Sequence, residues 1–171
     1  MCSGRRLFGC VTGVLVAAAL FTLASCRTAP PVITAADPAS AGPMNERDRL
    51  RAERIISAAG TGELLPRQSL TELAQTLAGA AGVLGVDSGL AHLAAAVGTP
   101  AVTLYGPTRT ELTGALGPRQ RNLAVEFACA PCMRRICDYD GPSAVRPTCF
   151  AALHPATVFD ALSRQMDGPP G

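Results

Sequence analysis

The chain contains no lysine and no tryptophan, and aromatic residues make up only 4% of it. All fifteen of its basic side chains are therefore arginine. This fits a compositional bias towards Ala, Arg, Gly and Pro, and it leaves no lysine ammonium anywhere to hold a ligand anion. The net charge is only +2 and the arginines form no stripe, so nothing in the charge points to a nucleic-acid partner. No internal repeat is visible, which excludes a solenoid or propeller. What is present is 171 residues, 48% of them hydrophobic, enough for one domain of ordinary size with a real core.

The first 26 residues differ from the rest. Arg5 and Arg6 precede an apolar stretch from Val11 to Ala24, and "LASC" closes it at Leu23 to Cys26. A charged start, an apolar middle and small residues before a cut form the pattern of an export signal. "LASC" also resembles the lipobox of bacterial lipoproteins, in which Cys26 would be lipidated, and the arginine pair before Leu7 and Phe8 is similar to a twin-arginine signal. The same stretch equally fits a single membrane anchor or a segment read from a misplaced start. Residues 27–45 are rich in Pro, Ala and Ser without a period, as expected for a disordered linker. Residues 167–171 form a tail.

Residues 46–166 carry the pattern of a folded domain. "ERDRLRAERIISAAG" places Leu50, Ile55 and Ile56 at helical spacing, with Gly60 to stop it. A short strand is expected at Glu63 to Leu65. "SLTELAQTLAGA" opens with Ser69 and Glu72 at capping-box spacing, and Leu70, Leu73, Ala74 and Leu77 share one face. "GVLGV" (Gly82 to Val86) and "AVTLY" (Ala101 to Tyr105) are short, wholly apolar runs that suit strands buried on both faces. A helix lies between them at Gly89 to Val97. A third strand is expected at Asn122 to Glu126, and an amphipathic helix at Pro155 to Met166 with proline in its first turn. Strands alternating with helices predict an α/β fold, a Rossmann-like parallel sheet with flanking helices.

Both apolar strands end in polar residues: Asp87-Ser88-Gly89 after the first, Gly106-Pro107-Thr108 after the second. In a parallel sheet ligands bind beyond the carboxyl ends of the strands. Gly89 lets backbone come close to a ligand, and the unpaired amides at the start of the helix favour a phosphate. Asp87 repels phosphate and suits a sugar hydroxyl as acceptor. His92, four residues after Ser88, shares its side of the helix. The bland alternatives are a helix cap at Asp87 or Ser88 and a packed structural histidine at His92.

The run "VDSGLAHLAAA" (Val86 to Ala96) followed by "YGPT" (Tyr105 to Thr108) resembles the C-terminal domain of the bacterial lipopolysaccharide heptosyltransferases, glycosyltransferase family 9. "RAERI", "LPRQSLTELAQTLAGA" and "CAPCMRRIC…C…LHPATVFDAL" resemble further segments of that family, so the likeness covers about Glu46 to Gln165. The resemblance implies the C-terminal half of a GT-B glycosyltransferase that binds ADP-heptose and passes heptose, with inversion, to the Kdo-lipid A acceptor at the cytoplasmic face of the inner membrane. By position, Asp87 would contact the heptose. Ser88, Gly89 and Leu90 would offer amides to the diphosphate, with His92 supporting them, and Asp48, or else Glu46, would take the ribose. The family's general base lies on an N-terminal domain, so no catalytic base is expected among these residues and the chain is read as an inactive fragment. Three departures stand out: Ser88 replaces the usual threonine, the family's phosphate-binding lysine is absent, and Pro43-Met44 stand where a tryptophan often precedes the ribose carboxylate.

Seven cysteines remain, of which Cys129, Cys132, Cys137 and Cys149 form a C-x2-C-x4-C-x11-C pattern. Four neighbouring thiolates fit a structural zinc ion, or two disulfides in an exported protein, or reduced and unpaired thiols. Arg134 and Arg135 lie within this loop and read as a solvated basic turn, or as partners of an anionic ligand. Two other functions therefore stand beside the glycosyltransferase: a non-catalytic exported lipoprotein with membrane association through Cys26, and a zinc-stabilised binding module.

Overall fold

A computed structural model describes residues 32–33 and 46–167. The export-signal and lipobox readings, Cys26 included, fall outside the described residues, as does most of the linker. Within that linker span, however, Val32–Ile33 is a short strand, β1, where no regular structure was expected. It gains its backbone partners by lying parallel to β2 (Glu63–Leu64).

Helix α1 (Glu46–Ala59) comes between these strands and ends at Gly60, whose φ of +67° is the left-handed conformation that glycine adopts at little cost. Its Ala52, Ile55 and Ile56 pack on Leu64 in a small core of their own. Helix α2 (Leu70–Ala78) begins with the capping box the sequence predicts. The Ser69 hydroxyl accepts from the Glu72 amide at 3.3 Å, and the Glu72 carboxylate accepts from the Ser69 amide at 2.8 Å.

The main sheet is parallel throughout, in the order β3 (Val83–Val86), β4 (Ala101–Tyr105), β5 (Gln120–Ala124). Side-chain alternation sorts its residues between two cores. Val83 and Ala101 face α2 and helix α3 (Gly89–Ala96), joining Leu73, Leu77, Leu90 and Ala94. Leu84, Val102 and Leu104 face the other way, onto Val158 and Leu162 of helix α5 (Pro155–Asp167). Helices thus cover both faces of the parallel sheet, the α/β arrangement the strand patterning implied. The Thr99 hydroxyl donates to the Leu77 carbonyl at 2.7 Å inside the first core, tying α2 to the turn before β4.

The third strand lies two residues earlier than the apolar pattern suggested. Its start is set by pairing, Ala101 with Gln120, and Gln120 and Arg121 are tolerated because β5 is an edge strand. Between β4 and β5 lies a single-turn helix, α4 (Thr110–Thr113), and before α5 a 3-10 turn (Thr148–Ala152). Among the described residues no helix is long and apolar enough to cross a membrane.

Candidate functional site

Three strand ends converge on the carboxyl edge of the sheet. After β3, the Asp87 amide still donates to the Leu104 carbonyl at 3.3 Å, so Asp87 leaves the sheet while anchored to its neighbour. Ser88 is the N-cap of α3 in extended conformation, yet its side chain makes no capping bond. The bland reading of Ser88 as a side-chain cap therefore fails. The first amides of α3 keep no side-chain acceptor, and such amides need a partner from outside the helix. Gly89 is exposed and Ser88 half-buried, so neither is sealed beneath another segment.

After β4, Gly106 is buried so closely that a Cβ there would lie 2.8 Å from the Cys149 Sγ and 3.0 Å from the Phe150 ring. The Pro107 carbonyl accepts from the Met133 amide at 2.7 Å, and beyond β5 the Val125 amide donates to the Tyr105 carbonyl at 2.9 Å. The hydroxyls of Ser88 and Thr108 are both covered and both lack a hydrogen-bond partner. A buried, unpaired hydroxyl costs about 1–3 kcal/mol; two at one sheet edge mark a place where polar ligand atoms or water would be held.

Asp87 is half-buried and negative, and its Oδ2 accepts from the Thr113 hydroxyl at 2.7 Å. Its charge is felt at Tyr105, whose phenol lies above its usual range, chiefly through burial; the Ala115 amide opposes the shift and Asp87 adds to it. Leu90 buries its side chain completely in the first core, so only its backbone amide is available to a ligand. His92 is exposed one turn after Ser88, on the outside of α3 and not packed in the core.

Glu46 and Asp48 lie on the first turn of α1. Glu46 is exposed and pairs with Arg49 at 2.8 Å, which holds its carboxyl below the usual range. Asp48 is half-buried, 3.3 Å from Arg51. Their helix packs on β2, in a core separate from the two that line the main sheet.

The four loop cysteines are free thiols: Cys129 exposed, Cys132 and Cys137 half-buried, Cys149 buried. No disulfide joins them. Among the described residues no three His, Cys, Asp or Glu side chains meet as a metal-holding group. Cys137 Sγ lies 3.9 Å from both the Thr148 hydroxyl and the Arg146 guanidinium. Amides of Thr148 and Tyr139 lower its pKa to about 7, helped by Arg146 and the Thr148 hydroxyl. Cys149 is pushed up, by burial first and then by the charges of the other three. Arg134 pairs with Asp138, and both it and Arg135 are exposed.

Thr108 closes the "YGPT" run at the same strand-end edge as Ser88, whereas Thr113 and Tyr105 carry no local signal of a site. Thr113 lies 26 positions from Asp87, and no periodicity links them.

The family model for glycosyltransferase family 9 (heptosyltransferase) matches residues 40–142. Lipopolysaccharide heptosyltransferase 1 of Pseudomonas aeruginosa is 38% identical over 131 residues, 71% of this chain and 37% of that protein. Lipopolysaccharide heptosyltransferase 1 of Salmonella typhimurium is 47% identical over 73 residues, 43% of this chain and 23% of that protein. A solved structure of the E. coli heptosyltransferase WaaC with ADP aligns with 39% identity over 48% of this chain and 26% of its own, with a TM-score of 0.46. The chain spans between 23% and 37% of the length of these two curated relatives.

Proposed function

The chain belongs to glycosyltransferase family 9, the heptosyltransferases, and on that premise we propose that its α/β unit, residues 46–166, is the donor-binding half of a GT-B enzyme. The donor is ADP-heptose. Its diphosphate lies against the amides of Gly89 and Leu90 at the start of α3, where the backbone dipoles favour negative charge. Ser88 and Thr108 offer their unpaired hydroxyls, His92 supports the phosphates from the outer face, and Asp87 accepts from the sugar.

In the transfer, an acceptor oxygen of Kdo-lipid A bonds to the anomeric carbon as the bond from that carbon to the phosphate oxygen breaks, inverting the centre. The electron pair leaves on ADP, and the acceptor proton passes to a carboxylate that the relatives' additional length would supply. The part taken by this chain is to hold the donor and to stabilise the growing charge on ADP through amides already in place. The reaction belongs at the cytoplasmic face of the inner membrane, where donor and acceptor meet. The ribose role of Asp48 or Glu46 requires α1 to release a carboxylate from its arginine partner.

The observation that carries this reading is the uncapped start of α3 beside an exposed Gly89 and an unpartnered Ser88 hydroxyl. The test is titration of the purified chain with ADP and with ADP-heptose. Saturable binding with a Kd of about 1 mM or tighter, about 4 kcal/mol, is expected for both. No saturation in that range for either ligand overturns the reading.

A further inference from the structure

We propose that Thr113 is a positioning residue for Asp87: its hydroxyl fixes the carboxylate at the sheet edge so that one oxygen stays aimed at the donor sugar. The proposal rests on the donor-site reading and deepens it.

The Thr113 hydroxyl has one proton and two acceptors in reach, Asp87 Oδ2 at 2.7 Å and the Arg109 carbonyl at 3.1 Å. The charged and shorter contact takes the proton, since hydrogen bonds to a carboxylate are about twice as strong as neutral ones. Bound at Oδ2, the carboxylate cannot turn freely, and Oδ1 takes no hydrogen bond among the described residues. That leaves an oriented acceptor beside the open start of α3, suited to a sugar hydroxyl and unsuited to a phosphate.

Thr113 can do this only because its own position is clamped. Helix α4 is a single turn with no side-chain cap, too short to hold itself. The buried Tyr105 holds it from the sheet: its hydroxyl donates to the Thr113 carbonyl at 3.0 Å and accepts from the Ala115 amide at 2.9 Å. Asn122 donates to the Ala115 carbonyl at 3.0 Å from β5. Gly114 closes the turn where a Cβ would lie 2.4 Å from the Thr110 carbonyl oxygen. The contacts run from β4 through α4 to the Asp87 carboxylate.

Binding of ADP and of ADP-heptose to the full chain, to Thr113→Val and to Thr113→Ser tests the proposal. Thr113→Val is expected to weaken ADP-heptose about tenfold while leaving ADP unchanged, because ADP has no sugar to meet Asp87 at that point. Thr113→Ser, which keeps the hydroxyl, is expected to restore the wild-type preference. Tyr105→Phe, which releases α4 without touching Asp87, is expected to lose the same preference, and it serves as the readout should Thr113→Val fail to fold. Equal weakening of both ligands, no weakening, or a serine variant that behaves like valine overturns the proposal alone. A wild-type chain that binds neither ligand overturns the donor-site reading, and this proposal with it.

Discussion

The segment from Val83 to Tyr105 ends at the carboxyl edge of the sheet and the segment from Val125 to Pro147 begins there, with the Val125 amide on the Tyr105 carbonyl, yet only the first is regular. Strand, helix and strand follow one another in the first with short turns, and every residue of β4 is buried. The second carries neither helix nor strand among its described residues. It is held by scattered bonds: Met133 to Pro107, Arg146 to the Tyr139 carbonyl at 2.5 Å, Phe127 edge-on to Tyr139 at 5.3 Å. Met133, at its docking point, sits at φ +55°, a backbone that costs a residue with a side chain about 1–2 kcal/mol. The two segments differ in where their free energy comes from. The first is stabilised by apolar burial on two faces of a sheet. The second depends on the first for a surface to lie on.

Removing core volume is the largest test of that difference. Leu90→Ala empties a site that is 0% exposed and is expected to cost about 2–5 kcal/mol in urea denaturation. Ile136→Ala in the loop, 82% exposed, is expected to stay within about 0.5 kcal/mol. Comparable losses at the two positions would mean that the loop is an integral part of the core.

A smaller effect is expected where the segments touch. Gly106→Ala places a methyl against Cys149 and Phe150, and overpacking of this kind costs about 1–3 kcal/mol. Amide exchange should show the loss concentrated at Met133 and the 3-10 turn, with the β3–β4 ladder still protected. Uniform loss of protection would show that the loop and the sheet unfold as one unit.

The smallest change leaves stability almost untouched and reads only the loop's electrostatics. Cys137 should alkylate with a midpoint near its lowered value of about 7, and Cys149, buried and pushed up, should react last. The sign follows from the direction of the shift. A thiol with a folded value below its unfolded one, about 8.5, favours the fold fully above that unfolded value and ceases to do so as pH falls through about 7. A Cys137 midpoint at the ordinary thiol value would mean that the Thr148 and Tyr139 amides do not face its sulfur.

Much of the α/β unit was legible because its signals are local. Ser69 and Glu72 are three residues apart, and the capping box is in place. Gly60 stops α1, and "AVTLY" is β4 from end to end. The third strand was displaced because its apolar run continues past the sheet, and the true start is set by pairing with β4. At the candidate site, Asp87, Ser88 and Gly89 could be named from a strand that ends in a glycine-bearing turn. Thr113 could not, since its partner is distant in sequence and its helix is one turn long. Glu46 and Asp48 were named by resemblance, and α1 places them beside arginines of their own helix.

By itself the sequence determined the family, the alternation of strands and helices, and the glycine-bearing turn that follows β3, because period, caps and turn residues act over a few neighbours. Only the tertiary structure decided which way the Asp87 carboxylate faces, that Ser88 leaves the first amides of α3 without a side-chain cap, and that Cys149 is buried while Cys129 is exposed. Those outcomes depend on contacts between segments that share no local pattern, here the Tyr105 clamp on α4 and the loop lying on Pro107, and such contacts exist only once the sheet has formed.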